Sequence, residues 1–221
     1  KVSLTDSRLK LSLQDDSMQI AANIQALSLV DGYLDLGKSA YSIMRADLNA
    51  DSIRYDMVYL PITAGLDPNH IHLSGIEAGI DSIHFNGQTM DALLLLKHFK
   101  LKEKCGIEVT EAKAKVLMDS ISIQIPDFII NTAASHVAAK GYFDFAAISS
   151  PSDGSFNAEL LGEIGKKDIA LFTTALPHDF LRLYPDAPIT IAINANGNID
   201  SLELNKAEVA LADAFKIKAV G

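Results

Sequence analysis

The chain has 221 residues, is 48% hydrophobic and carries a formal charge of -9. That apolar content can build a sizeable core and argues against disorder. The acidic balance argues against nucleic acid and anionic headgroups as binding surfaces, since both need a basic patch. The single cysteine, Cys105, permits no intrachain disulfide. No run approaches the roughly 18–20 apolar residues of a spanning helix.

In chain order the pattern is almost entirely that of strands, with apolar residues at every second position. Leu9, Leu11 and Leu13 make a first strand, and Met18, Ile20, Ala22 and Ile24 a second, with a turn at 14–17. Asp31 and Gly32 give a hairpin signal, from which Leu34 and Leu36 return. Ile43, Ala46, Leu48 and Ala50 precede Asp51 and Ser52; Ile53 and Tyr55 follow. Residues 57–68 are irregular and contain Pro61 and Pro68, which suits an edge, loop or link.

Alternation resumes at Ile71, and Asn86-Gly87 marks another hairpin. The run Ala92 to Leu96 is apolar on both faces and reads as strand, continuing into Phe99 and Leu101. Lys97, Lys100, Lys102 and Lys104 are the wet side of this amphipathic segment. The clearest alternation runs from Ala112 to Phe145, through Val116, Met118, Ile121, Ile123, Ile125, Phe128 and Ile130. A helix is expected over 168–184, with Asp168 as its N-cap and Ile169, Phe172, Leu176 and Phe180 at helical spacing, Pro177 ending or kinking it. Ile189, Ile191 and Ile193 begin the closing strands, with Asn196-Gly197 as a turn.

An Asp-Ser pair introduces an apolar run at 16, 51, 81, 119 and 200, and each is read as a turn because both side chains can bond the backbone just downstream. The expected fold is all-β: a long antiparallel meander of at least twelve short strands, curled into a β-taco or half-open groove, with one short helix. Blocks at 1–60, 61–161 and 162–221 read as one continuous elongated β domain, and strand-like ends suggest a piece of a longer protein.

Motifs for chemistry are sparse. Gly162 to Lys167 has the outline of a phosphate loop but lacks its four-residue spacer and the hydroxyl after the lysine. His70 and His72 share a strand face without a third ligand nearby, so a solvated or hydrogen-bonded pair is the better reading. His98, His136 and His178 are isolated, and Cys105 has no nucleophile context. No catalytic residue, metal site or cofactor is expected, and the chain does not read as an enzyme.

The alternating apolar residues fit two arrangements. Two sheets can close on each other as a filled sandwich, each buried large side chain contributing roughly 1.5–3 kcal/mol. Alternatively a half-curled sheet leaves an apolar trough, in which an acyl chain gains about 0.8 kcal/mol per methylene. The expected lining of that trough is Leu94, Leu96, Phe99, Leu101, Val116, Met118, Ile121, Ile123, Ile125, Phe128, Ile130, Ile189, Ile191 and Ile193. An outer-membrane barrel is the weakest alternative, because the chain lacks Trp and an aromatic girdle.

Three segments carry a family likeness: residues 101–109 (LKEKCGIEV), 121–127 (ISIQIPD) and 132–137 (TAASHV). Ile164-Gly165, Asp168-Ile169, the 189–195 strand and Gly197-Asn198-Ile199 extend it. Together they resemble a recurring strand-and-turn unit of TamB-like proteins of the AsmA superfamily, Bacteroidetes type. The resemblance implies a periplasmic β-taco groove that conducts phospholipid towards the outer membrane, within a longer protein anchored in the inner membrane by an N-terminal helix. It also implies a BamA-type outer-membrane barrel as partner of the longer protein, and no catalytic residue.

Overall fold

The structure is a computed structural model that describes residues 1–13, 17–149, 151, 153–171 and 185–221. Its strands are β1 (Val2–Leu13), β2 (Met18–Asp35), β3 (Ala40–Met57), β4 (His70–Asn86), β5 (Asp91–Glu103) and β6 (Glu108–Met118). Then come β7 (Ser122–Thr132), β8 (His136–Asp144), β9 (Phe156–Ile164), β10 (Ile189–Gly197), β11 (Leu202–Leu211) and β12 (Phe215–Ala219). Among the described residues these form a single 12-stranded antiparallel sheet in strict sequence order, with β1 and β12 as open edges. Among the described residues the sheet is not closed into a barrel, and there is no second sheet to make a sandwich with it. It runs unbroken through residues 60 and 161, since β3 pairs with β4 and β9 with both β8 and β10.

The first strands are long, 18 residues each in β2 and β3 and 17 in β4. This corrects the expected short strands: Asp31-Gly32, Asp51-Ser52 and Asp81-Ser82 are kinks inside strands, not turns. One row of kinks crosses β1 to β4 at Asp6, Gln25, Asp51 and Gly75, each skipped by the pairing on either side. A second row passes through Asp31, the Met44 and Arg45 pair, Asp81 and Lys97. An extra residue shifts the alternation by one, as a turn does, so the two look alike in sequence. Asp119-Ser120 and Asn86-Gly87 do lie in turns. Asp119 accepts the N–H of Ile121 at 2.8 Å and of Ser122 at 2.7 Å. Asn196-Gly197 ends β10, and the turn itself is closed by Asn198, which accepts from Asp200 and Ser201.

Of the expected helix, residues 172–184 lie outside the described residues, as do 14–16 of the first turn. What is described is one helical turn, α1 (Lys166–Ile169), preceded by Gly165 rather than capped by Asp168. Asp168 instead accepts hydrogen bonds from the hydroxyls of Thr132 and Ser135, docking the turn on the β7–β8 connection. A carboxylate in the first helical turn is favourable electrostatically wherever it points, so sequence alone did not separate the two roles.

Kinks at one level bend neighbouring strands together. Ile24, Ala50 and Ile76, directly paired across β2, β3 and β4 beside the first row, form the buried core, with Leu48, Leu73, Phe99 and Leu101 packed around them. The ends of the strands are also drawn together, because Leu66 between β3 and β4 donates its N–H to the carbonyl of Leu171, beyond α1, at 3.4 Å. The loop holding Leu66 is pinned by Asp67, whose buried carboxylate accepts from the N–H of Thr63 at 2.7 Å, the N–H of Asn69 at 3.0 Å and His70 Nδ1 at 3.0 Å. The Thr63 bond above all, with those from Asn69 and His70, overcomes burial and holds the Asp67 carboxyl at about 2 against its ordinary 3.8.

Two predictions follow from this packing. Ile76→Ala should cost about 2–3 kcal/mol in urea denaturation, while Ile217→Ala on the exposed edge should cost under about 0.5 kcal/mol; equal losses would refute a localised crease. A lowered folded pKa means Asp67 stabilises the fold above its unfolded value and loses that effect as pH falls towards about 2. Asp67→Asn should therefore be less stable than wild type at neutral pH, with the gap in urea midpoints closing between about pH 4 and pH 2.

Candidate functional site

Antiparallel partners point to the same face, so the pairing register assigns every strand residue a side. One row of direct partners runs Leu34, Tyr41, Phe85, Ala92, Met118, Ile123, Phe143, Phe156, Gly197 and Leu202, from β2 to β11. A second runs Ala112, Ile130, Val137, Gly162, Ile191, Val209 and Ile217, from β6 to β12. A third joins Leu4, Leu27, Leu48, Ala78 and Phe99 across β1 to β5. All lie on one face. Eleven strand spacings of about 4.8 Å make that apolar surface roughly 50 Å long.

All the expected lining residues except Ile121 share this face. Leu94 pairs with Val116, Leu96 with Ala114, Leu101 with Val109, Ile125 with Gly141, Phe128 with Ala139, Ile189 with Ile164 and Ile193 with Leu160. Ile121 lies in the β6–β7 turn and is 62% exposed, because the Asp119 side chain reverses the chain there. The alternation of Ile121 with Ile123 is thus a coincidence of turn and strand.

The opposite face carries the charge. Lys100 meets Glu77 at 3.2 Å, Lys102 meets Glu108 at 2.9 Å, and Lys140 meets Glu159 at 2.9 Å, each across adjacent strands. Such exposed pairs contribute at most about 1 kcal/mol each; their larger effect is to keep this side wet. Lys97, at a kink, meets Asp81 at 3.7 Å. His72 Nε2 contacts Asp56 at 3.0 Å, so both histidines of the 70–72 pair engage carboxylates. Two clefts of about 420 Å³ also open on this side. In one, Asn205 donates to Asn194 at 2.8 Å and Lys140 is held by Glu159, so its polar groups are spent on one another.

Glu103 is the acidic residue whose register falls on the apolar side, opposite Leu73 at the end of β5. Burial pushes its carboxyl up, but bonds from the Cys105 thiol and backbone and the His72 N–H outweigh this and hold it below the ordinary range. Its charge is satisfied by a turn and does not face the middle of the sheet.

The apolar face is only partly covered. The molecule exposes 13529 Å², against about 10,000 Å² for a compact monomer of this mass. Leu9 and Leu11 on β1 remain 52% and 49% exposed. Monomeric proteins seldom leave apolar patches above a few hundred Å² without a partner or ligand for them. The loop at 58–69, whose residues sequence reasoning left as irregular, adds Tyr59 and Ile62 to the exposed apolar surface. Its signal in the sequence is the uncharged stretch over 57–66 rather than a periodicity. No protein-family model, curated protein or solved structure matches this chain.

Proposed function

We propose that the chain is a segment of a lipid-conducting β-groove, a passive conduit without turnover whose apolar face holds the acyl chains of phospholipid. The observation that carries the reading is the apolar face itself, free of charge away from one strand end and continuous along the direction in which the strands succeed one another. An extended hydrocarbon needs such a wall, because an unpaired charge facing it would be very costly. A sixteen-carbon chain fully buried there gains on the order of 12 kcal/mol before the costs of ordering it. The likeness to TamB-like proteins of the AsmA superfamily supports the same reading. On it, the protein works in the periplasm, moves phospholipid between inner and outer membranes and supports outer-membrane biogenesis, with a BamA-type barrel as a partner of the longer protein. The competing reading, an interaction module with a filled core, finds less support because a one-layer sheet offers no second apolar layer to fill it.

Native mass spectrometry of freshly purified chain should reveal bound phospholipid. After delipidation the protein should take up a fluorescent fatty acid. Ile123→Asp, on the apolar face of β7, should weaken that uptake at least tenfold with an unchanged β-sheet circular dichroism spectrum, while Gln124→Asp on the polar face should not. Absence of both co-purified lipid and fatty-acid uptake would sink the reading.

A further inference from the structure

From Met57 to Leu66 the chain runs without one charged side chain (MVYLPITAGL), although 21% of all residues are charged. This stretch leaves the end of β3 and presents Tyr59 at 76%, Ile62 at 70%, Val58 at 46% and Leu60 at 43% exposure. With Leu66 at 39%, that makes five large apolar side chains on one connection, and nothing in the ladder requires them.

The loop is shaped while it is exposed. Val58 donates its N–H to the Ser17 carbonyl at 2.8 Å, Leu60 donates to Met57 at 3.0 Å, and the Asp67 carboxylate takes the Thr63 N–H at 2.7 Å. Pro61 has no N–H to satisfy. The Val58, Leu60 and Thr63 donors are thus met from within, which leaves fewer groups to desolvate where an unmet donor costs several kcal/mol. Apolar tips on a loop so braced suit the headgroup–acyl boundary, where hydrocarbon lies beside water and lipid carbonyls that can meet the other donors.

The loop also continues the apolar face. Met57 pairs with Met18, and Tyr55, two residues before it, pairs with Ile20 and Ile71. Tyr59 combines an apolar ring with a hydroxyl, the chemistry favoured at a membrane–water boundary. With no lysine or arginine in the stretch and a chain charge of -9, attraction to anionic lipid is absent. A protein interface is the poorer fit, because five side chains fall far short of the roughly 20–30 residues a side that a stable one buries.

We infer that the loop at 57–66 is a membrane-contact element, entering the headgroup–acyl boundary of a zwitterionic bilayer and bringing one lip of the groove, at the ends of β3 and β4, against lipid. The role as a groove lip rests on the lipid-conduit reading; the membrane contact rests on the loop alone.

The test uses the full chain and phosphatidylcholine vesicles in a flotation assay. Wild type should float with the vesicles, and the double variant Tyr59→Asp/Ile62→Asp should partition at least tenfold less. Leu36→Asp, an equally drastic change at a residue 83% exposed at the opposite end of the strands, should float as wild type does. Uptake of the soluble fluorescent fatty acid should be the same in the double variant as in wild type, which shows the fold intact and separates the two readings. Loop-dependent flotation without fatty-acid uptake would uphold the membrane contact and remove the conduit. Flotation that ignores the double variant, no flotation of wild type, or a double variant whose only effect is to dissociate a dimer seen by sedimentation would overturn the inference.

Discussion

A one-layer sheet keeps one greasy side only if every strand alternates in phase with its neighbours. An extra residue in a strand turns everything beyond it to the wrong face unless a bulge absorbs it, as the one between Ile125 and Phe128 of β7 does without a match in either neighbour. The first four strands each carry such a residue, and each is matched: Asp6 by Gln25, Gln25 by Asp51, Asp51 by Gly75. The local chemistry suits the position. Asp6 has φ 46° and Gly75 φ 57°, a region that glycine enters freely and aspartate tolerates better than most residues. The Gln25 amide donates to the Asp51 carboxylate at 2.6 Å, tying two kinks together. In-phase kinks bend the strands as a set, and Ile24, Ala50 and Ile76 become enclosed although the described residues form one sheet only.

The energetics of this arrangement differ from those of a packed domain. Among the described residues Ile76 is the largest side chain fully enclosed, so apolar burial is shared thinly among many half-covered side chains. Cohesion comes from the ladders between neighbours and from contacts within one face, with bonds such as Leu66 to Leu171 beyond α1 and Ile199 to Ala147 tying elements distant in sequence. Anything apolar laid along the concave side would complete the burial that the chain leaves unfinished. By mass action such an occupant would stabilise the folded form in proportion to its own affinity. The face proposed to bind lipid is thus also the face where the fold has most to gain.

Alternation made most of this legible in the sequence. Ile123, Phe128 and Ile130 on β7, and Ile189, Ile191 and Ile193 on β10, were assigned to one side each from period two alone, and the register puts them on one common face. Period two does not say whether a break in phase is a reversal or a bulge. Asp51-Ser52 looked like a turn because aspartate and serine serve both, and only the partner strand, carrying its own extra residue, distinguishes them. Ile121 failed for the same reason in reverse, being counted as strand while the Asp119 side chain holds it in a turn. Single sheet against sandwich was undecidable from spacing, since both give each strand one apolar side. The uncharged loop at 57–66 has no period at all, and its meaning depends on a carboxylate, Asp67, that acts through backbone donors rather than through any motif.

Openness ties these features together. Closing twelve strands into a barrel would remove both edges and satisfy β1 and β12, and it would also seal the apolar face from anything entering sideways. The open sheet keeps that access, and its outermost described strands differ in character. β12 carries Lys216 and Lys218 on its polar side, where both meet Glu208 of β11. β1 is 12 residues long and offers Leu9, Leu11 and Leu13 to the apolar side, with the Asp6 kink as its one interruption. On the lipid-conduit reading, hydrocarbon must reach this wall from the side, which a closed barrel would forbid and an open single-layer sheet allows.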